Sequence, residues 1–258
     1  GVNRLQAETA LMGFLVGLLV GLTGVGGAAL LTPALLWIGI NPTVAVGTDL
    51  FYNAVTKLFG GVQHMRQKTV DLALVKLLAA GSVPAAVLAV LLLHALPALA
   101  EQRDGVIRHA IGAVLVVTAI AVIAMQFIGR FGRNRWQDLP LSRKRTLTIA
   151  IGAALGFVVG WTSIGSGSLF ALAMMIFYRM PAAQLVGTDI AHAFLLVAAA
   201  GGMHALYGNI DYLLAFNLLI GSIPGVVLGS RLSAKVPGRP LRTFLAALIF
   251  FSGVKLLF

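Results

Sequence analysis

Long apolar stretches, at roughly residues 10–40, 43–63, 72–97, 106–128, 146–178, 182–206, 212–230 and 241–258, confine this chain to lipid. Each is long enough to cross about 30 Å of hydrocarbon as a helix rising about 1.5 Å per residue. The stretches are continuously apolar and do not alternate, so they read as helices and not as the strands of a barrel. Composition agrees: 59% of the residues are hydrophobic and 10% charged, whereas a soluble domain carries about a quarter of its residues as Asp, Glu, Lys or Arg. The first stretch exceeds the apolar region of a signal peptide, which assigns it to the mature structure.

The stretches fall into two similar halves. GLTGVGGAALL from Gly21 parallels GWTSIGSGSLF from Gly160, VGTDL ending at Leu50 parallels VGTDI ending at Ile190, and GSVPAAVLA from Gly81 parallels GSIPGVVLG from Gly221. The offset is 160 − 21 = 139 for the first pair and 189 − 49 = 140 and 224 − 84 = 140 for the next two, and His64 with His204 and Asp71 with Asp211 keep the 140. Agreement of so many uncommon residues in order marks a duplication. The expected organisation is a transmembrane repeat over residues 1–128, a basic, solvated cytoplasmic linker over 129–145 and a second transmembrane repeat over 146–258.

In each half the first stretch is interrupted. Gly21, Gly24, Gly26 and Gly27 cluster at the centre of the first, and each glycine costs a helix about 1 kcal/mol relative to alanine. The helix is predicted to break there and to leave polar backbone at membrane depth, which lipid tolerates only where it lines a cavity or packs in protein.

Charge then decides how often the broken segment crosses. Arg130, Arg133, Arg135, Arg143, Lys144 and Arg145 lie in one connector, and Arg231, Lys235, Arg239 and Arg242 in another. Four full crossings per half place these connectors on opposite sides, against the positive-inside rule. A re-entrant first segment leaves three crossings per half, inverts the repeats, and gathers both connectors with Arg66 and Lys68 in the cytoplasm. On the other side Glu101 and Asp104 offset Arg103 and Arg108. The expected fold is an all-α polytopic membrane protein of two homologous four-segment repeats, inverted, each starting with a broken or re-entrant helix. Because the basic residues sit between spans, the formal charge of +11 argues for anionic lipid and not for a nucleic-acid partner.

Inverted repeats with helices broken at matching positions point to a transport site near the bilayer midplane. The breaks at Gly24 to Ala28 and Ser163 to Gly167 present amide N–H groups at a half-helix N-terminus, which favours an anionic ligand. Candidate binding residues are Thr23, Gly24, Gly26 and Gly27 in the first copy and Thr162, Ser163, Gly165, Ser166 and Ser168 in the second, the hydroxyls acting as neutral donors. Close helix packing is the competing reading of the glycines.

Asp49 and Asp189 lie just inside apolar stretches. Burying an unpaired carboxylate costs on the order of several kcal/mol, so each is expected to cap a helix, pair, or take a proton. Asn53 and Lys57, four and eight residues after Asp49, share its helical face; Asn53 joins the binding candidates, and Lys57 neutralises the carboxylate or draws an anion. Ala193 and Val197 occupy the equivalent positions of the second copy, so that role is asymmetric. His192, three residues after Asp189, is placed for a charge relay with it. Pro84 and Pro224 are expected to kink their helices, as hinges or as static packing features, with Ser82 and Ser222 re-satisfying the freed carbonyls.

Other chemistries find little support. The chain has no cysteine, which excludes disulfides, thiolate catalysis and Cys-ligated metals. Five scattered histidines without HExxH spacing argue against a metal site, and no cofactor is implied. The GSGS at Gly165 faintly suggests a serine nucleophile, yet Gly27 stands at the equivalent of Ser166, and the chain does not read as an enzyme.

On the glycine-rich break of both halves, the GTD tripeptides at Gly47 and Gly187 and the GS-x-P motifs at Gly81 and Gly221, the chain resembles the sulfite exporter TauE/SafE family of membrane permeases over nearly its whole length. The resemblance implies a multi-pass inner-membrane permease with duplicated halves, moving sulfite, organosulfonates such as sulfoacetate, or other small anions. The second break departs from the first, with Ser163 and Ser166 in place of glycines, so the two half-sites are expected to differ. The expected function is secondary transport by alternating access at a midplane site, with Asp49, Asp189, His192, Lys57, Pro84 and Pro224 in coupling or gating. The alternatives are an ion channel or a cation or proton-coupled carrier whose aspartates bind the ion, or a structural membrane subunit. The partners are a small anionic substrate and the bilayer, with a homodimer left open as the assembly.

Overall fold

A computed structural model describes residues 2–128 and 132–258, with side chains from Gln6 onward. Gly129 and Arg130 of the expected linker lie outside the described residues. Among the described residues all regular structure is helical: α1 (Val2–Thr23), α2 (Gly27–Trp37), α3 (Pro42–Arg66), α4 (Leu72–Ala95), α5 (Pro97–Ala100), α6 (Arg103–Met125), α7 (Arg135–Asp138), a 3-10 turn (Leu141–Lys144), α8 (Arg145–Thr162), α9 (Ser168–Phe177), α10 (Ala182–Leu206), α11 (Tyr212–Leu232) and α12 (Gly238–Leu257). Seven described helices are long and apolar enough to cross a membrane. The eighth long one, α3, has 25 residues, but its polar residues lower its hydropathy.

The first apolar stretch of each half is two helices. The chain turns at Gly24, with φ +70°, and at the equivalent Ser163, with φ +65°. Glycine adopts this left-handed conformation freely, whereas serine meets a Cβ clash there. The first break is shorter than the spacing of glycines predicts, because Gly27 and Ala28 already belong to the first turn of α2, whereas the second spans 163–167 as expected.

Packing joins the halves. Helices α1 and α11 run parallel along two rows of glycines: a Cβ on Gly13 would lie 2.3 Å from the Leu218 carbonyl oxygen, one on Gly17 2.5 Å from that of Ser222, and one on Gly221 1.7 Å from that of Ala10. Helices α4 and α8 meet the same way, with Gly152 against Leu78 and Gly156 against Ser82. Backbones this close gain dispersion contact that larger residues would prevent. Gly21 belongs to the first seam, facing Val226, so for this glycine the packing reading holds.

Helix starts lie earlier than Asp49 and Asp189. Asn41 caps α3 by accepting from the Thr43 N–H at 3.0 Å, and α10 starts at Ala182 behind Pro181. The capping alternative for the two aspartates is thereby corrected: both are inside helices. The roles expected of Ser82 and Ser222 are also corrected. Ser82 pairs with His192 Nε2 at 2.7 Å and Ser222 with the Tyr52 hydroxyl, so each serine reaches a neighbouring helix instead of the carbonyls near Pro84 and Pro224.

The end of α9 lies beside the start of α8. Lys144 Nζ donates to the Phe177 carbonyl at 3.0 Å, and the Thr148 and Tyr178 hydroxyls pair at 2.5 Å. Asn134 and Gln137 donate to the carbonyls of Ile176 and Met175 at 2.9 and 3.2 Å, satisfying acceptors that a helix C-terminus leaves open. The connector is thus more than the solvated loop its composition suggests: Lys144 is only 4% exposed.

Candidate functional site

The two breaks meet. A Cβ on Gly167 would lie 3.1 Å from the Cα of Gly26, so the first turns of α2 and α9 face each other. Neither helix start has a side-chain cap. Their first-turn N–H groups and the positive ends of both helix dipoles converge on one small cavity lined by residues 26–29 and 164–168. The cavity has room for roughly one water molecule. Its remaining walls are Asn53 and Lys57 from α3 and Thr118 from α6.

Lys57 supplies the full positive charge. Its ammonium lies 3.2 Å from the Ser166 hydroxyl and 3.4 Å from the Ser166 carbonyl oxygen, and it interacts electrostatically with both Asp189 and Asp49. An ammonium and two helix N-termini around one void favour an anion.

The two aspartates have unlike surroundings. Asp49 is fully buried and accepts from Thr32 Oγ1 at 3.0 Å, from Asn53 Nδ2 at 3.1 Å and from the Ser163 hydroxyl. It ties α2, α3 and the second break together behind the cavity. Asp189 is 8% exposed, and its Oδ1 has no hydrogen-bond partner among the described residues. The relay expected between Asp189 and His192 is not formed as a hydrogen bond. His192 gives its Nε2 to Ser82 and leaves Nδ1 unpartnered.

Of the sequence-predicted residues, Gly26, Gly27, Asn53, Lys57, Gly165, Ser166 and Ser168 line the cavity. Thr23, Gly24, Thr162 and Ser163 stand beside it. The hydroxyls of Thr23 and Thr162 donate to the carbonyls of Leu19 and Val158 at 2.6 and 2.7 Å and accept from the N–H groups of Val25 and Ile164, which fixes the turn out of each helix. Pro84 and Pro224 are not among the lining residues.

Two contributors escaped the sequence. Thr118 is 1% exposed, lines the cavity, and its hydroxyl has no partner among the described residues; its signal in the sequence is a threonine inside an apolar span. Arg242 donates from Nε to the Thr23 carbonyl at 2.8 Å, placing a cation on the negative end of α1; it reads from sequence as a loop charge. Among the described residues no group of three His, Cys, Asp or Glu side chains is placed to hold a metal.

Comparison with known proteins places this geometry in context. The model of the family described as "Sulfite exporter TauE/SafE" matches residues 9–256. The chain is 58% identical to the probable membrane transporter protein YjnA of Bacillus subtilis, covering 98% of this chain and all of the relative. It is 26% identical to the probable membrane transporter protein YfcA of Escherichia coli K12, over 95% of this chain and 88% of the relative. The probable membrane transporter protein YunE of Bacillus subtilis is 23% identical over 96% of this chain and 95% of its own length. No solved structure matches the chain.

Proposed function

Because the chain belongs to the sulfite exporter TauE/SafE family, we propose that this multi-pass inner-membrane transporter moves small anions, sulfite or an organosulfonate, and holds them where α2 and α9 begin. One observation carries the reading: two uncapped helix N-termini and the Lys57 ammonium converge on one small cavity. Fixed dipoles at that point replace part of the hydration an anion loses on leaving water.

The transport cycle is alternating access between inverted repeats. Support comes from contacts that exchange the halves: the Asp211 N–H donates to Thr48 and the Asp71 N–H to Thr188, both at 3.0 Å. The pairs Tyr52 with Ser222 and His192 with Ser82 are related by the same 140-residue offset. The return of α9 to the start of α8 supports a re-entrant hairpin in the second half. A cavity of this size admits a polyatomic anion only when the two hairpins part, and Pro84 and Pro224, inside helices that bear on α8 and α1, are the hinges for that motion.

Counterflow tests the reading. Liposomes containing the purified protein and loaded with unlabelled sulfite should accumulate labelled sulfite saturably, and Lys57→Gln should abolish the uptake. Large, unsaturated currents would favour a channel instead, and the absence of both would remove the transport reading of this site.

A further inference from the structure

We infer that the site takes up a proton together with its anion and that Asp189 is the residue that holds it, an inference that rests on the anion-site reading above. The constellation contains two buried carboxylates, Asp49 and Asp189, and one half-buried ammonium, Lys57. With both carboxylates ionised the set is negative before any substrate arrives. An anion bound against Lys57 adds to that excess in a low-dielectric environment, where uncompensated charge is costly. One proton per monovalent anion keeps the charge of the site unchanged.

Hydrogen bonding selects the carrier. Asp49 meets donors from Thr32, Asn53 and Ser163, the surroundings of an ionised carboxylate that fastens three segments together. Among the described residues Asp189 Oδ1 meets none, and one helical turn further on His192 Nδ1 is also unpartnered. A proton from bulk water, bound to Asp189 as a neutral carboxylic acid, removes an unpaired buried charge; on release the carboxylate returns to its present state.

The other titratable and charged groups facing α10 have assigned partners. From α3 these are Asp49 and Lys57. On α4, Asp71 caps the start by accepting from the Leu74 N–H, and His94 in the last turn pairs with the Val90 carbonyl and Asn209. On α10 itself His204 bonds the Gly160 carbonyl of α8 and Asn209. The α9 helix contributes no charged residue.

The test counts protons. Purified protein and Asp189→Asn are each titrated with sulfite and with methanesulfonate in weakly buffered detergent solution containing a pH dye. The ligand's own protonation is common to both proteins, so the difference counts the proton on residue 189. About one extra proton per bound anion in the wild type is expected, and Asp189→Glu, which keeps a carboxyl group, should restore it. Equal counts with binding intact overturn proton uptake and leave the anion site standing. Failure of the wild type to bind either anion overturns the anion site and this inference together. Should Asp189→Asn not fold, the wild type alone decides with methanesulfonate, which has no titratable group near neutral pH: uptake near one proton supports the assignment and none overturns it.

Discussion

The hydroxyl of Ser163 donates a hydrogen bond to the carboxylate of Asp49, joining the break of one half of the chain to the third helix of the other. Ser163 holds this position from a left-handed backbone, φ +65°, that its equivalent Gly24 adopts without a Cβ. Serine here trades local strain for a cross-chain bond to a buried charge. A hydrogen bond to a charged group contributes about 1.5–3 kcal/mol, and the left-handed conformation costs a non-glycine residue roughly 1–2 kcal/mol. Ser163→Ala loses the bond and keeps the strain, so it should lower stability by about 2 kcal/mol. Ser163→Gly loses both and should fall between Ser163→Ala and the wild type. Denaturation of the detergent-purified variants gives the order; a glycine variant less stable than the alanine variant contradicts it.

Thr48 and Thr188 make equivalent bonds to Asp211 and Asp71, so the two positions should respond alike. Thr48→Val and Thr188→Val keep the shape and leave a backbone N–H without its acceptor, at a cost of about 1–3 kcal/mol each. Matching drops in melting temperature are expected, additive in the double variant because the sites are separate. A large loss at one position and none at the other would contradict the equivalence.

The glycine seam predicts a contrast within one residue type. Gly221→Ala puts a methyl group 1.7 Å from the Ala10 carbonyl oxygen, a distance that only separation of α1 from α11 relieves, and should abolish folded yield. Gly202→Ala, in the interior of α10 with open space around its Cβ position, should be neutral or stabilising by about 0.5–1 kcal/mol through helix propensity. Size-exclusion profiles of the two variants check the pair.

The sequence spoke clearly wherever one helix carries the whole signal. The breaks follow from glycine's cost in a helix, and the bond from Asn53 to Asp49 follows from four-residue spacing. Contacts between helices were not legible. Ser82 and Ser222 read as repairs to their own proline-bearing helices, while their partners, His192 and Tyr52, lie across the halves. The capping alternative for Asp49 failed because Asn41 and Pro42, a cap followed by a proline preorganised for the first turn, start α3 earlier. The partnering of α1 with α11 was hidden for the same reason: glycine rows on both helices were visible, but which row meets which is decided only by the packed fold.

Thr118 offers the cleanest separation of binding from stability. Its hydroxyl is buried at the cavity wall with no partner among the described residues, so in the protein alone it represents an unsatisfied polar group. Thr118→Val removes that group at nearly constant volume and should raise stability by about 1 kcal/mol. With an anion in the cavity the same hydroxyl becomes a donor, and its loss should weaken sulfite binding about fivefold, the equivalent of about 1 kcal/mol. Opposite signs are therefore expected, a higher melting temperature without ligand and a smaller ligand-induced shift. A variant that is less stable on its own, or that keeps its full sulfite-induced shift, would remove Thr118 from the anion site.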